Sequence, residues 1–273
     1  MTSARELDAL MAKAMSAHQT GRIAEAQKSY RAVLKAAPRH FAALHFLGLT
    51  YFQDGKPDKG IEFVQKALAI KPDYVEAQYN LATALQGLER FDEAIKHYNS
   101  ALAIIPNNPD VHNNLGAALH KLKRYEEAIA HFQRALALRP GLSQPHNNIG
   151  SALKQLRRYE EAISHFNAAL AIDPRNVETR CNLADALQAS GRLAESLVAY
   201  DEAAARNPRL IDAKLGRANV LGKLKCLTTR WRLSIRWWQQ APISRRRGSA
   251  AATSSPASSA MRRASPTMTR RCR

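Results

Sequence analysis

The residues of this chain that could do chemistry are its histidines, its three cysteines and a set of asparagines, and most of them recur at one spacing. His97, His131 and His165 stand 34 apart in the chain, as do His112 and His146. Imidazoles bind transition metals or carry protons, but the ligands of one ion must converge on it at about 2 Å. A step of that size spans a pair of helices, so successive histidines are too far apart to share an ion. Each is expected as a packing or surface residue. Cys181, Cys226 and Cys272 are odd in number and lack metal-ligand spacing, which suits a reducing compartment and argues against a disulfide framework. No Ser/His/Asp arrangement, phosphate-cradling Gly loop or CxxC pair is present. Catalysis within residues 1–225 is therefore not expected, and neither a metal nor a cofactor is.

The asparagines make a different offer. Asn80, Asn114, Asn148 and Asn182 recur with the same step. Asparagine is a poor residue for a helix interior, so four in one slot call for a reason. A side-chain amide donates to a carbonyl and accepts from an N–H. A column of them would hold an extended peptide by its main chain, with little demand on its sequence. Asn113, Asn147, His120, Lys121, Lys154 and Gln155 are the polar neighbours expected on the same face, where the Lys and His side chains would attract an acidic segment. The competing reading of these neighbours is an ordinary solvated helix face.

The elements that must position these residues follow from the prolines. Pro38, Pro72, Pro106, Pro140, Pro174 and Pro208 fall 34 apart, and proline ends a helix rather than continuing it. With each proline as position 32, repeats start at Leu7, Phe41, Val75, Pro109, Ser143, Val177 and Ile211. Position 8 is then Ala or Gly throughout, from Ala14 and Gly48 to Ala218. Position 20 is Ala26, Gly60, Ala94, Ala128, Ala162 and Ser196, and position 24 is Tyr30, Val64, Tyr98, Phe132, Phe166 and Tyr200. Small residues let two antiparallel helices approach closely. Apolar spacing at positions 4, 7, 8 and 11, then 20, 24 and 27, predicts two helices of three to four turns joined by a short polar turn. The asparagines occupy position 6, beside that stripe.

This pattern resembles the tetratricopeptide repeat family over residues 7–225. The resemblance implies an all-α, right-handed superhelical solenoid whose concave face is lined by the first helix of each repeat. Stacking is required because one hairpin cannot bury its apolar face alone. The asparagine column further resembles the ladder in the repeat region of O-linked N-acetylglucosamine transferases and SPINDLY proteins, which implies a grip on the substrate backbone. The match is confined to Asn80, Asn114, Asn148 and Asn182, because the slot holds Ala12, Phe46 and Gly216 elsewhere. Asparagine is also common at this slot in repeats with no such role, so both readings stand here.

Composition places the remaining features. The net charge of +18 suggests nucleic acid, but eleven arginines and no acidic residue fall in residues 226–273, leaving +7 for residues 1–225. The expected organisation is an extension of the first helix over 1–6, six repeats and the first helix of a seventh over 7–225, and a disordered Arg/Ser/Ala-rich tail over 226–273. The tail has the marks of a shifted reading frame. Read one base out of step, the segment from Arg245, RRRGSAAATSS, is able to encode AEAWLGRGNVF, in register with IDAKLGRANVL, which begins one repeat earlier at Ile211. No leader-like or membrane-spanning apolar run is present, so a cytoplasmic protein is expected. Three functions are ranked on these grounds. The first is a scaffold binding proteins or peptides, with self-association possible through the C-terminal end of the array. The second is the substrate-recruiting arm of a SPINDLY-type transferase whose catalytic domain lay beyond the frame break. The third, behind both, is a nucleic-acid binder acting through the tail.

Overall fold

A computed structural model describes residues 4–240 of the chain. Among these residues there are thirteen helices and no strand. They divide into two compact units, Met1–Leu156 and Arg157–Arg273. The first holds α1 (Ala4–Gln19), α2 (Ile23–Ala36), α3 (Phe41–Gln53), α4 (Pro57–Ile70), α5 (Val75–Gly87), α6 (Phe91–Ile104), α7 (Pro109–Lys121), α8 (Tyr125–Leu138) and α9 (Ser143–Gln155). The second holds α10 (Tyr159–Ile172), α11 (Val177–Ala189), α12 (Leu193–Arg206) and α13 (Ile211–Gln240).

In the first unit α1–α2, α3–α4, α5–α6 and α7–α8 pack as hairpins, and each second helix also packs on the first helix of the next repeat. The first helices α3, α5, α7 and α9 touch in succession and form a layer of their own. The core between the layers is built from positions 7 and 24: Leu47, Leu81, Leu115, Tyr30, Tyr98 and Phe132 are all essentially inaccessible. Each such side chain contributes about 1.5–3 kcal/mol by leaving water. The small residues at positions 8 and 20 bring the helices together. A Cβ on Gly48 would lie 2.6 Å from Val64 and 2.8 Å from the carbonyl of Gly60, and one on Gly116 would lie 2.7 Å from Phe132. In the second unit α10, α11, α12 and α13 pack in succession, with Phe166 and Tyr200 in the corresponding core positions.

The turns share one conformation. Position 15 has positive φ in Gly21, Gly55, Glu89, Lys123, Arg157 and Gly191. The N–H of position 16 then reaches back to the carbonyl of position 11, as in Arg90 to Leu85 at 2.9 Å and Arg124 to Leu119 at 3.0 Å. This is the hydrogen bond that closes a helix C-terminus on a left-handed residue. The same arginines open the second helix and fork onto a glutamate three residues on, Arg90 to Glu93 and Arg124 to Glu127, both at 2.7 Å.

Two expectations are corrected. Position 4 is apolar only in Leu10 and Leu44; in the third to sixth repeats it is Gln78, His112, His146 and Arg180, and in the seventh Lys214. Three of these donate to the carbonyl of the preceding repeat's proline: Gln78 to Pro72 at 3.0 Å, His112 to Pro106 at 3.0 Å and Arg180 to Pro174 at 2.9 Å. A carbonyl just beyond a helix end lacks an intrahelical donor, and a polar position 4 supplies one. The second correction concerns the tail, expected to be disordered from residue 226. Helix α13 runs on to Gln240, because no Gly or Pro interrupts residues 223–240 and the first stop is Pro242. Lys225 is position 15 of the seventh repeat, so α13 runs helically through the position where the other six turn. The rest of the expected tail, residues 241–273, lies outside the described residues.

Candidate functional site

The asparagine slot falls at the seam between successive first helices. Asn80, on α5, is half-buried and its amide nitrogen lies 3.1 Å from Nε2 of His45 on α3. Asn114, on α7, donates to the Tyr79 hydroxyl on α5 at 2.9 Å. Asn148, on α9, donates to Oδ1 of Asn113 on α7 at 3.3 Å. In every case the amide at position 6 reaches position 5 of the repeat before it. The partners differ in type but share one capacity, that of accepting a hydrogen bond.

Burial fixes the chemistry of these partners. His45 is 1 % exposed, and desolvation pushes its pKa down to about 4 despite the opposing charge of Glu76. It is therefore neutral near pH 7. An amide nitrogen can only donate, so Nε2 of His45 accepts from Asn80, and its Nδ1–H faces the Tyr74 hydroxyl at 3.2 Å. Asn113, expected to contact a ligand, is instead buried at 7 % exposure. Besides accepting from Asn148, it donates to Oδ1 of Asn114 at 3.4 Å. Both of these partners are position-6 amides, one on its own helix and one on the next.

The other expected residues group differently. His120, Lys121 and Lys154 come together at the C-terminal ends of α7 and α9. His120 is half-buried with its ring edge-on to Tyr125, and its pKa is lowered by burial first and by Lys121 and Lys154 next. Its Nε2 is buried without a hydrogen-bond partner. Six residues, about 9 Å of helix, separate this basic group from the amides on the same helices. Asn147 is half-buried on α9. Asn182 belongs to the second unit, where with Glu178, Cys181, Asp185, Tyr200 and Asp212 it lines a cavity of about 470 Å³. There the Tyr200 hydroxyl donates to Asp185, and burial followed by the three carboxylates raises the Cys181 thiol.

Two of the recurring histidines at position 23, His97 and His131, pair with position 4 of their own hairpin. His97 Nδ1 lies 2.7 Å from Gln78, and His131 Nδ1 lies 3.0 Å from Nδ1 of His112. Because the Pro106 carbonyl only accepts, Nε2 of His112 donates to it, and across the His112–His131 contact one Nδ1 donates to the other. Among the described residues no group of three or more His, Cys, Asp or Glu is placed to hold a metal ion, and no helix is long and apolar enough to cross a membrane.

Reading the sequence alone missed His45, Tyr79 and Tyr74, which show no recurring letter; the available signal was that position 5 always carries an acceptor where the next position 6 is asparagine. Comparison with known proteins bears on the whole array. Tetratricopeptide repeat models match residues 7–40, 39–107, 73–141, 109–175 and 153–220. Among solved structures, MamA is 26% identical, with a TM-score of 0.57 over 59% of this chain and 94% of that one. Two more distant structures, each 20% identical, share the fold. One is YrrB, described as a TPR protein with an unusual peptide-binding site (TM-score 0.60; 69% of this chain, 97% of that one). The other is the APC/C hetero-tetramer Cut9–Hcn1 (0.61; 78% and 42%). No curated protein sequence matches the chain.

Proposed function

Because the chain belongs to the tetratricopeptide repeat family, we propose that it is a protein-interaction scaffold that holds an extended peptide along the layer of its first helices. The observation that carries this is the seam of Asn80, Asn114 and Asn148. Each is half-buried, each is held by one N–H, and Asn80 and Asn148 keep a carbonyl oxygen and a second N–H for a ligand's main chain. The basic group of His120, Lys121 and Lys154, about two turns away, favours an acidic residue on the peptide. The fold shared with YrrB is one on which a peptide site has been built.

Replacing Asn114 and Asn148 together by Ala removes the donor–acceptor pair of Asn148 and the remaining N–H of Asn114. At about 0.5–1.5 kcal/mol for each lost hydrogen bond, capture of extended peptides on an array should weaken by roughly tenfold or more with helicity unchanged. Capture equal to that of the unaltered chain would remove the asparagines from the site. A second reading, the recruiting arm of a SPINDLY-type protein O-linked N-acetylglucosamine transferase, rests on the common register of Asn80, Asn114, Asn148 and Asn182. It requires a catalytic domain encoded downstream in the shifted frame, and the nucleotide sequence decides it.

A further inference from the structure

We infer that the side chains at position 5 are positioning residues for the asparagines, and that Tyr79, Asn113, Asn114 and Asn148 act as one hydrogen-bonded relay. The inference rests on the groove reading above and deepens it. Asn148 donates to Asn113 at 3.3 Å, Asn113 to Asn114 at 3.4 Å, and Asn114 to Tyr79 at 2.9 Å. These four side chains link α9, α7 and α5 without a break, and every donor points the same way along the array.

An amide on a helix surface rotates among several rotamers, and a ligand must halt that motion when it binds. Here one N–H of Asn114 and one of Asn148 are already committed to the repeat before, and one of Asn113 to its helix neighbour, so the plane of each amide is set before a ligand arrives. Aligned hydrogen bonds also polarise one another, so each link strengthens the next. The chain ends on the Tyr79 oxygen, which accepts from Asn114 and keeps its own O–H to donate. At the other end Asn148 keeps its carbonyl oxygen. The relay thus offers a donor at the α5 end and an acceptor at the α9 end.

Tyr79→Phe removes the terminal acceptor and keeps the ring, so packing is preserved. The test uses the full chain labelled with ¹⁵N and, as probe, a capped dodecapeptide of Gly, Ser and Ala, with Asn114→Ala as a second variant. In Tyr79→Phe the side-chain amide resonances of Asn114, Asn113 and Asn148 should all move, although Asn148 lies two helices away. Affinity for the probe should fall three- to tenfold while the melting temperature holds. If those resonances and the affinity stay in place in Tyr79→Phe while Asn114→Ala weakens binding, the positioning role is overturned and the groove reading survives. If Asn114→Ala leaves binding unchanged, the groove reading itself fails, and the positioning role with it.

Discussion

Six residues at position 15 adopt the left-handed conformation, and three of them, Glu89, Lys123 and Arg157, are not glycine. A side chain there costs on the order of 1–3 kcal/mol, partly offset by the smaller entropy that a non-glycine residue loses on folding. Lys123 is exposed at φ 62°, so Lys123→Gly should stabilise the chain by about 1 kcal/mol, read as a higher urea midpoint. A lower midpoint would mean that the turn is relaxed by its hydrogen bonds. The case also shows what is legible at this scale. Gly21, Gly55 and Gly191 announce the turn by type, whereas Lys123 takes the same shape because Arg124 is tied back to Leu119. The asparagines were legible because one letter recurs. Their partners were not, because His45, Tyr79 and Asn113 share an acceptor rather than a letter, and that shared capacity becomes visible only when two helices are side by side. Position 4 was misread for a related reason: helical spacing marks a buried face, but it does not say that a proline carbonyl lies within reach.

The spacing of the helices depends on small residues, and the second hairpin shows it most clearly. Gly48 of α3 and Gly60 of α4 face each other, and a Cβ on Gly48 would meet backbone at 2.8 Å. Gly→Ala inside a helix normally gains close to about 1 kcal/mol from propensity. Here Gly48→Ala must push two helices apart, and overpacking of this kind costs about 1–3 kcal/mol. The variant should therefore melt at a lower temperature than the parent, and a stabilised variant would show that the helices yield freely. Hairpin number, helix lengths and turn positions were all readable from the prolines and small residues. The length of α13 was not, because the repeat pattern stops at Lys225 while the physical signal to stop a helix does not arrive until Pro242.

Acid sensitivity is a property of the molecule as a whole. His45, His97, His120, His131 and His146 all have pKa values lowered chiefly by burial, and all lie in the unit Met1–Leu156. A histidine with a lowered folded pKa binds its proton more readily in the unfolded chain. Its contribution to stability is complete above about pH 6.5 and is lost as the pH falls towards the folded value. For His45, at about 4, the loss approaches roughly 3 kcal/mol. The glutamates Glu93, Glu127 and Glu195, lowered by their arginine partners, act only in the carboxylate range below this window. The urea midpoint should thus drop between pH 7.5 and pH 5, and His45→Gln should flatten that drop; equal midpoints at both pH values would refute the assignment. The seam between first helices has a consequence for ancestry. Each asparagine and its acceptor belong to different repeats, so the unit that carries the contact is the junction. Duplicating any stretch of α5 to α9 that is one repeat long, wherever the copy begins, adds one junction complete with both halves, and deleting one removes both. On the proposed groove reading, the length of peptide held and the number of repeats therefore rise and fall together under gene duplication, with no further mutation needed to furnish the new contact.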